Sequence, residues 1–169
     1  MRASLKPVIL IMLAVSLSAC HFLLRGQASK LPEIYHAMHL TTHSTSPRLT
    51  SIIKQQLLRS GVHLRTQAPY RLTLNQEVIQ KNILSISSGS SSRQYQLNYK
   101  LYFSFEETHG EILIENHPIL VTRFLTINND RILGSHDEEE HIIDDMRRDA
   151  SLQIIQRMGA LPLLTKRKS

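Results

Sequence analysis

Six apolar residues at strict two-residue spacing, Tyr95, Leu97, Tyr99, Leu101, Phe103 and Phe105, alternate with Gln94, Gln96, Asn98, Lys100 and Ser104. Successive side chains of a β-strand point to opposite faces, so this stretch is a long strand with one dry side and one wet side. Such a strand needs an apolar layer over its dry side and leaves the other side in water.

The same period recurs nearby. Tyr70, Leu72, Leu74 and Val78 alternate with Arg71, Thr73, Asn75 and Glu77, which predicts a strand from Tyr70 to about Ile86. An earlier strand is expected over roughly Ile34 to Thr42, where Ile34, Met38 and Leu40 share a parity. A last strand carries Ile112, Ile114, Ile119, Val121, Leu125 and Ile127 in phase, entered by a tight turn at His109-Gly110 and interrupted at Pro118. Between the second and third strands, Ser85 to Ser92 is polar and serine-rich, and reads as a loop.

Two helices can supply the cover. Ser46-Pro47 is a helix start with Ser as N-cap and Pro at the first helical position, and Leu49, Ile52, Ile53 and Leu57 form a stripe ending at Gly61. Ser135-His136-Asp137-Glu138 fits a capping box. The stripe Ile143, Met146, Ala150, Ile154 and Met158 follows, with Gly159 and Pro162 as stop signals. The order β-α-β-β-β-α predicts an α+β fold with two helices on one face of a four-stranded, mostly antiparallel sheet.

At 169 residues the chain suits one domain. Its first segment stands outside that domain. Arg2 and Lys6 precede the apolar run Val8 to Leu17, and Ser18 and Ala19 follow, the anatomy of a secretory signal peptide. The run is shorter than the roughly 20 residues that span a bilayer. Leu17-Ser18-Ala19-Cys20 resembles the bacterial lipobox, and Cys20 is the chain's only cysteine. The resemblance implies that Cys20 becomes the first residue, bearing S-diacylglycerol and an N-acyl chain such as palmitate. Residue 21 is His rather than the Asp that retains similar lipoproteins at the inner membrane, so the outer membrane is the expected destination. The expected divisions are a lipoprotein signal peptide over 1–19, an acylated N-terminus and linker over 20–33, one α+β domain over 34–164, and a disordered basic tail over 165–169.

With 20 Lys+Arg against 14 Asp+Glu the formal charge is +6, two units of which, Arg2 and Lys6, leave with the signal peptide. The remaining cations are scattered and the regularly spaced aromatics belong to the dry face, so no nucleic-acid partner is expected. Anionic lipid headgroups suit the charge better, because Arg and Lys give phosphate charge-assisted hydrogen bonds. Arg93 beside the serine-rich loop and Arg131 before the last helix are the loop cations to examine.

Catalytic patterns are lacking. His136 and His141 are five apart, roughly 140° around a helix, whereas a metal-binding H-E-x-x-H places its histidines at i,i+4. His136 with Glu140 has that spacing but supplies only two ligands. His36, His39 and His43 diverge on a strand. No nucleophile elbow or Gly-rich phosphate loop occurs, and the one thiol is expected to carry a lipid. Neither enzymatic activity, a cofactor nor a metal is expected.

Several segments together resemble the LPS-assembly lipoprotein family, LptE. After Cys20, His21-Phe22-Leu23-Leu24-Arg25-Gly26 follows the family pattern except at His21. So do Gln55-Gln56-Leu57-Leu58-Arg59-Ser60-Gly61-Val62, Tyr95-Gln96-Leu97-Asn98-Tyr99, Arg123-Phe124, and the stretch from Glu139-Glu140 through Asp144-Asp145-Met146-Arg147-Arg148-Asp149-Ala150 to Gln153-Ile154-Ile155-Gln156-Arg157-Met158. The resemblance implies a lipoprotein on the periplasmic side of the outer membrane that plugs a large β-barrel (LptD-like) partner. It further implies help in assembling that barrel and binding of lipopolysaccharide in transit to the surface. Lipopolysaccharide-linked cations of the family map onto Arg93, and onto Arg131 and His136 in place of a clear Lys. The alternative is an envelope scaffold lipoprotein with no lipopolysaccharide role.

Overall fold

The structure is a computed structural model that describes residues 31–86, 92–128 and 132–165. Cys20 and the signal peptide, most of the serine-rich loop, and Arg131 lie outside the described residues.

After a 3-10 turn at Glu33–Tyr35 come strand β1 (Ala37–Ser44), helix α1 (Pro47–Arg59), and strands β2 (His63–Leu64), β3 (Tyr70–Ile86), β4 (Ser92–Glu107) and β5 (Ile112–Asn128). Helix α2 (Ile132–Thr165) closes the order. The sheet runs β2-β1-β3-β4-β5. It has five strands rather than four: β2 is two residues long, too short for any periodicity to mark. The sheet is mixed, since β1 pairs parallel with both β2 and β3 while β3-β4 and β4-β5 are antiparallel. A strand, a helix and a strand in succession is the arrangement that joins parallel neighbours.

Helix α1 follows its sequence signals. Ser46 Oγ accepts the Leu49 N–H at 3.2 Å, Leu49, Ile52, Ile53 and Leu57 are buried, and Gly61 takes φ +85°, where a side chain would be strained. The first strand starts later than expected, and Ile34 sits exposed in the 3-10 turn while Tyr35 is buried. Tyr35 packs edge-on against Tyr70 at 4.9 Å and Phe105 at 5.2 Å between ring centroids.

Helix α2 begins at Ile132 and passes through Ser135, so Ser135 is not its cap. It also continues beyond Gly159 and Pro162. A single interior glycine costs a helix only about 1 kcal/mol, and Leu31, 3.9 Å from where a Gly159 Cβ would stand, lies over this turn. Pro162 falls within the last turn of the helix, where little helix remains to be broken. Met146, Ala150, Ile154, Ile155 and Met158 face the core.

On β4 the expected face is dry: Leu97, Tyr99, Leu101, Phe103 and Phe105 are almost wholly buried. Its neighbours change phase. An extra residue on β3 between Leu74 and Gln76, and one on β5 between Ile114 and His117, put bulges either side of β4. A polar clip spans them. Asn75 Nδ2 donates to Ser104 Oγ (2.9 Å) and Asn116 Oδ1 (2.8 Å), and the Asn116 N–H donates to Ser104 Oγ (3.1 Å). Beyond the β3 bulge the alternation reverses, turning Glu77 toward the helices and Val78 to the open face, opposite to the uninterrupted period. On β5 this shift keeps both Ile114 and Ile119 buried although they are five positions apart, and a second shift between Ile112 and Ile114 leaves Ile112 exposed. Pro118 does not interrupt β5, an edge strand with a ladder on one side only, where a missing N–H is tolerated.

Candidate functional site

The bulge at Asn75 creates a charged cluster beneath the helices. Glu77 Oε1 accepts from Arg147 Nε at 2.7 Å, and Glu77 Oε2 from the Ser46 N–H at 2.8 Å. Arg147 reaches Asp144 Oδ1 at 3.1 Å, and Asp144 Oδ2 takes both Arg48 Nε (2.8 Å) and an Arg48 Nη. One network thus ties β3, the start of α1 and the middle of α2. Burial works against the Glu77 carboxylate, but the bonds from Arg147 and Ser46 outweigh it and hold its pKa below the usual range. Asp144 is held low chiefly by Arg48. Tyr99 lies nearby, and burial pushes its phenol well up. With every charged group matched, the cluster serves as a structural clamp.

The surface with binding character lies at the far end of the β3-β4 hairpin. Arg93 is exposed, and its place in the ladder is between Ile86 and Ile127, on the same strand face as Tyr95 and Leu97. No described residue pairs with its guanidinium. His136 is exposed on the first part of α2, with Nε2 3.9 Å from Glu140 Oε1. No contact joins Arg93 to His136. A cation missed by sequence reasoning stands between these elements: Lys81 Nζ is 2.5 Å from Glu139 Oε2 and 4.5 Å from the Tyr95 ring centroid. Its inward position follows from the bulge. Ile83 and Leu84 are exposed close by in sequence, beside the serine-rich segment. This end therefore combines a guanidinium without a partner among the described residues with exposed apolar side chains, suited to an anionic amphiphile.

The opposite, open face of the sheet is built differently. Across β3, β4 and β5 the register aligns Gln76-Tyr102-Pro118, Val78-Lys100-Leu120, Gln80-Asn98-Thr122 and Asn82-Gln96-Phe124. Asn98 Oδ1 accepts from Gln96 Nε2 at 3.3 Å and from Thr122 Oγ1 at 3.1 Å. Lys100 leans toward Tyr102, 6.0 Å from its ring centroid.

Residues 35–158 match the model of a protein family described as lipopolysaccharide-assembly, LptE. The chain belongs to the LptE family. Solved structures share the fold. A rare lipoprotein B from Shewanella oneidensis, 20% identical, superposes with a TM-score of 0.66 over 77% of this chain and 98% of its own. A lipoprotein B from Nitrosomonas europaea, 24% identical, gives 0.67 over 83% and 92%. A minor lipoprotein from Acinetobacter baumannii, 19% identical, gives 0.61 over 76% and 94%. No curated protein sequence matches the chain. Among the described residues, no helix is long and apolar enough to cross a membrane. As a member of this family the protein is associated with the assembly of lipopolysaccharide in the bacterial envelope.

Proposed function

We propose that the protein is an outer-membrane lipoprotein, anchored through acylated Cys20, that plugs a large β-barrel translocon partner, helps that barrel assemble and binds lipopolysaccharide on its way to the cell surface. The family match over residues 35–158 carries this reading. The signal anatomy ending at Cys20 supplies the anchor, and several acyl chains hold a domain at a bilayer where one binds only marginally. No catalytic chemistry is called for. In this role Arg93, Arg131 and His136 receive the anionic headgroup, and the exposed Arg93, without a partner among the described residues and near exposed Ile83 and Leu84 in sequence, supports the assignment. The domain stands on the periplasmic side, within the barrel.

Co-purification tests the proposal. The full lipidated chain, extracted in detergent from outer membranes, is expected to elute with one large β-barrel protein. Recovery solely as a free monomer would overturn the plug role. A deletion strain that still delivers lipopolysaccharide to its surface would favour the scaffold alternative.

A further inference from the structure

Beyond the Arg71–Glu106 ion pair, the middle of the open face of the sheet is poor in charge for a surface in water. Of the twelve positions in the four rows from Gln76-Tyr102-Pro118 to Asn82-Gln96-Phe124, Lys100 alone is charged. Small-domain surfaces ordinarily carry charge at about a quarter to a third of their positions, which keeps them soluble. Amides and a hydroxyl take that place here. Gln80, Asn98 and Thr122 form one row and Asn82, Gln96 and Phe124 the next, with rows about 7 Å apart and strands about 5 Å apart.

Each amide presents donors and an acceptor. Asn98 Oδ1 is engaged by Gln96 and Thr122, while Gln80 and Asn82 have no partner among the described residues. A depression of about 360 Å³ lies over the first three rows, where the amides Gln76, Gln80 and Asn98 share its lining with Val78, Tyr102 and Leu120. Leu120 within it and Phe124 in the row beyond it are each 62% exposed.

This chemistry selects among occupants. A membrane surface or a nucleic acid needs a cluster of Lys and Arg, and the rows contain one lysine. A protein partner of ordinary kind would be met by several aromatic, Met or Arg anchors at the centre of the patch, whereas the two middle rows here, Val78-Lys100-Leu120 and Gln80-Asn98-Thr122, hold none of these. A sugar ring has a rim of hydroxyls, each both donor and acceptor, and a face of C–H groups. An amide lattice edged by an exposed aromatic ring complements both.

We propose that the open face of β3, β4 and β5 binds a saccharide chain, namely the oligosaccharide portion of lipopolysaccharide. The inference rests on the function proposed above and adds a second contact to it, on the opposite side of the sheet from Arg93.

The test titrates the full chain in detergent micelles, isotopically labelled for NMR, with oligosaccharide freed from lipid A by mild acid hydrolysis. Parallel arms use lipid A alone, intact lipopolysaccharide, and maltoheptaose as an unrelated glycan. Saturable shifts confined to the open-face residues of β3, β4 and β5, weakened at least fivefold by Gln80→Ala with Asn82→Ala and separately by Phe124→Ala, are expected. Both sets of side chains are exposed, so an unchanged melting temperature accompanies them. Shifts that are absent, lie elsewhere, persist undiminished in the variants, or are reproduced by lipid A or maltoheptaose would overturn the proposal. Intact lipopolysaccharide that binds while its free oligosaccharide leaves the face unperturbed removes this inference and leaves the proposed function standing. Free oligosaccharide that binds the face while intact lipopolysaccharide does not bind supports a saccharide site and removes lipopolysaccharide capture from the proposed function.

Discussion

Arg147 Nε donates to Glu77 Oε1 at 2.7 Å, joining the middle of α2 to β3 just past the Asn75 bulge. Both side chains are nearly enclosed, at 13% and 6% exposure. Charges removed from water are stable only while paired, and stranding one typically costs about 3–5 kcal/mol. Glu77→Ala and Arg147→Ala are each expected to lower unfolding free energy by about 3 kcal/mol, measured by urea denaturation. The double variant should lose less than the two added together, because the second removal strands nothing. Additive losses would mean that the two groups do not act as a pair.

The same network sets an acid limit. Glu77 and Asp144 are both held below the usual carboxylate range in the folded chain. A carboxylate whose folded pKa is depressed contributes stability that is fully present above its unfolded pKa, near 4, and is lost as pH falls through the folded value. Stability is therefore expected to be level from neutrality down to about pH 5 and to fall steeply below about pH 4. Glu77→Gln should make that fall shallower, and an unchanged slope in thermal melts between about pH 5 and about pH 2.5 would contradict the assignment.

The phase reversal that buries Glu77 also marks where the sequence pattern stops being informative. The helix stripes and the six-residue alternation of β4 are legible because each repeats a period long enough to fix a face. A bulge inserts one residue and leaves no such trace: Asn75 looks like any polar strand residue until Ser104 and Asn116 are seen beside it. An uninterrupted period accordingly gives Glu77 and Val78 the wrong surroundings and passes over Lys81, and β2 is too short to carry a period at all. Arg93 is legible from its position beside the serine-rich segment. The amides of β4 are legible as a wet face, but their alignment with Gln80, Asn82 and Thr122 depends on register across three strands, which no single strand encodes.

Asn116 holds the second bulge at φ 35°. Asn tolerates this left-handed region better than most residues, and a β-branched side chain tolerates it poorly. Asn116→Val is expected to cost about 2 kcal/mol through backbone strain and loss of the bond from Asn75. Asn116→Gly frees the backbone and loses only the side-chain bond, so a cost below about 1 kcal/mol is expected. Chemical denaturation of the two variants side by side decides it, and equal losses would place the cost in the hydrogen bond rather than in the backbone.

Arg93 and Lys81 are both cations of the distal hairpin, and the structure separates their roles. Lys81 is committed to Glu139 and the Tyr95 ring, whereas no described residue takes Arg93. Lys81→Ala should lower stability by about 0.5 kcal/mol, the range of a partly exposed ion pair. Arg93→Ala should leave the melting temperature unchanged and weaken capture of labelled lipopolysaccharide by roughly fivefold, corresponding to about 1 kcal/mol for one exposed charge-assisted contact to phosphate. Arg131→Ala added to Arg93→Ala should weaken capture further. The loss should shrink as salt rises, since screening acts on exposed charges first. Capture by the double variant equal to that of the unaltered chain at low salt would remove both arginines from the lipopolysaccharide surface and leave the anionic headgroup to other residues.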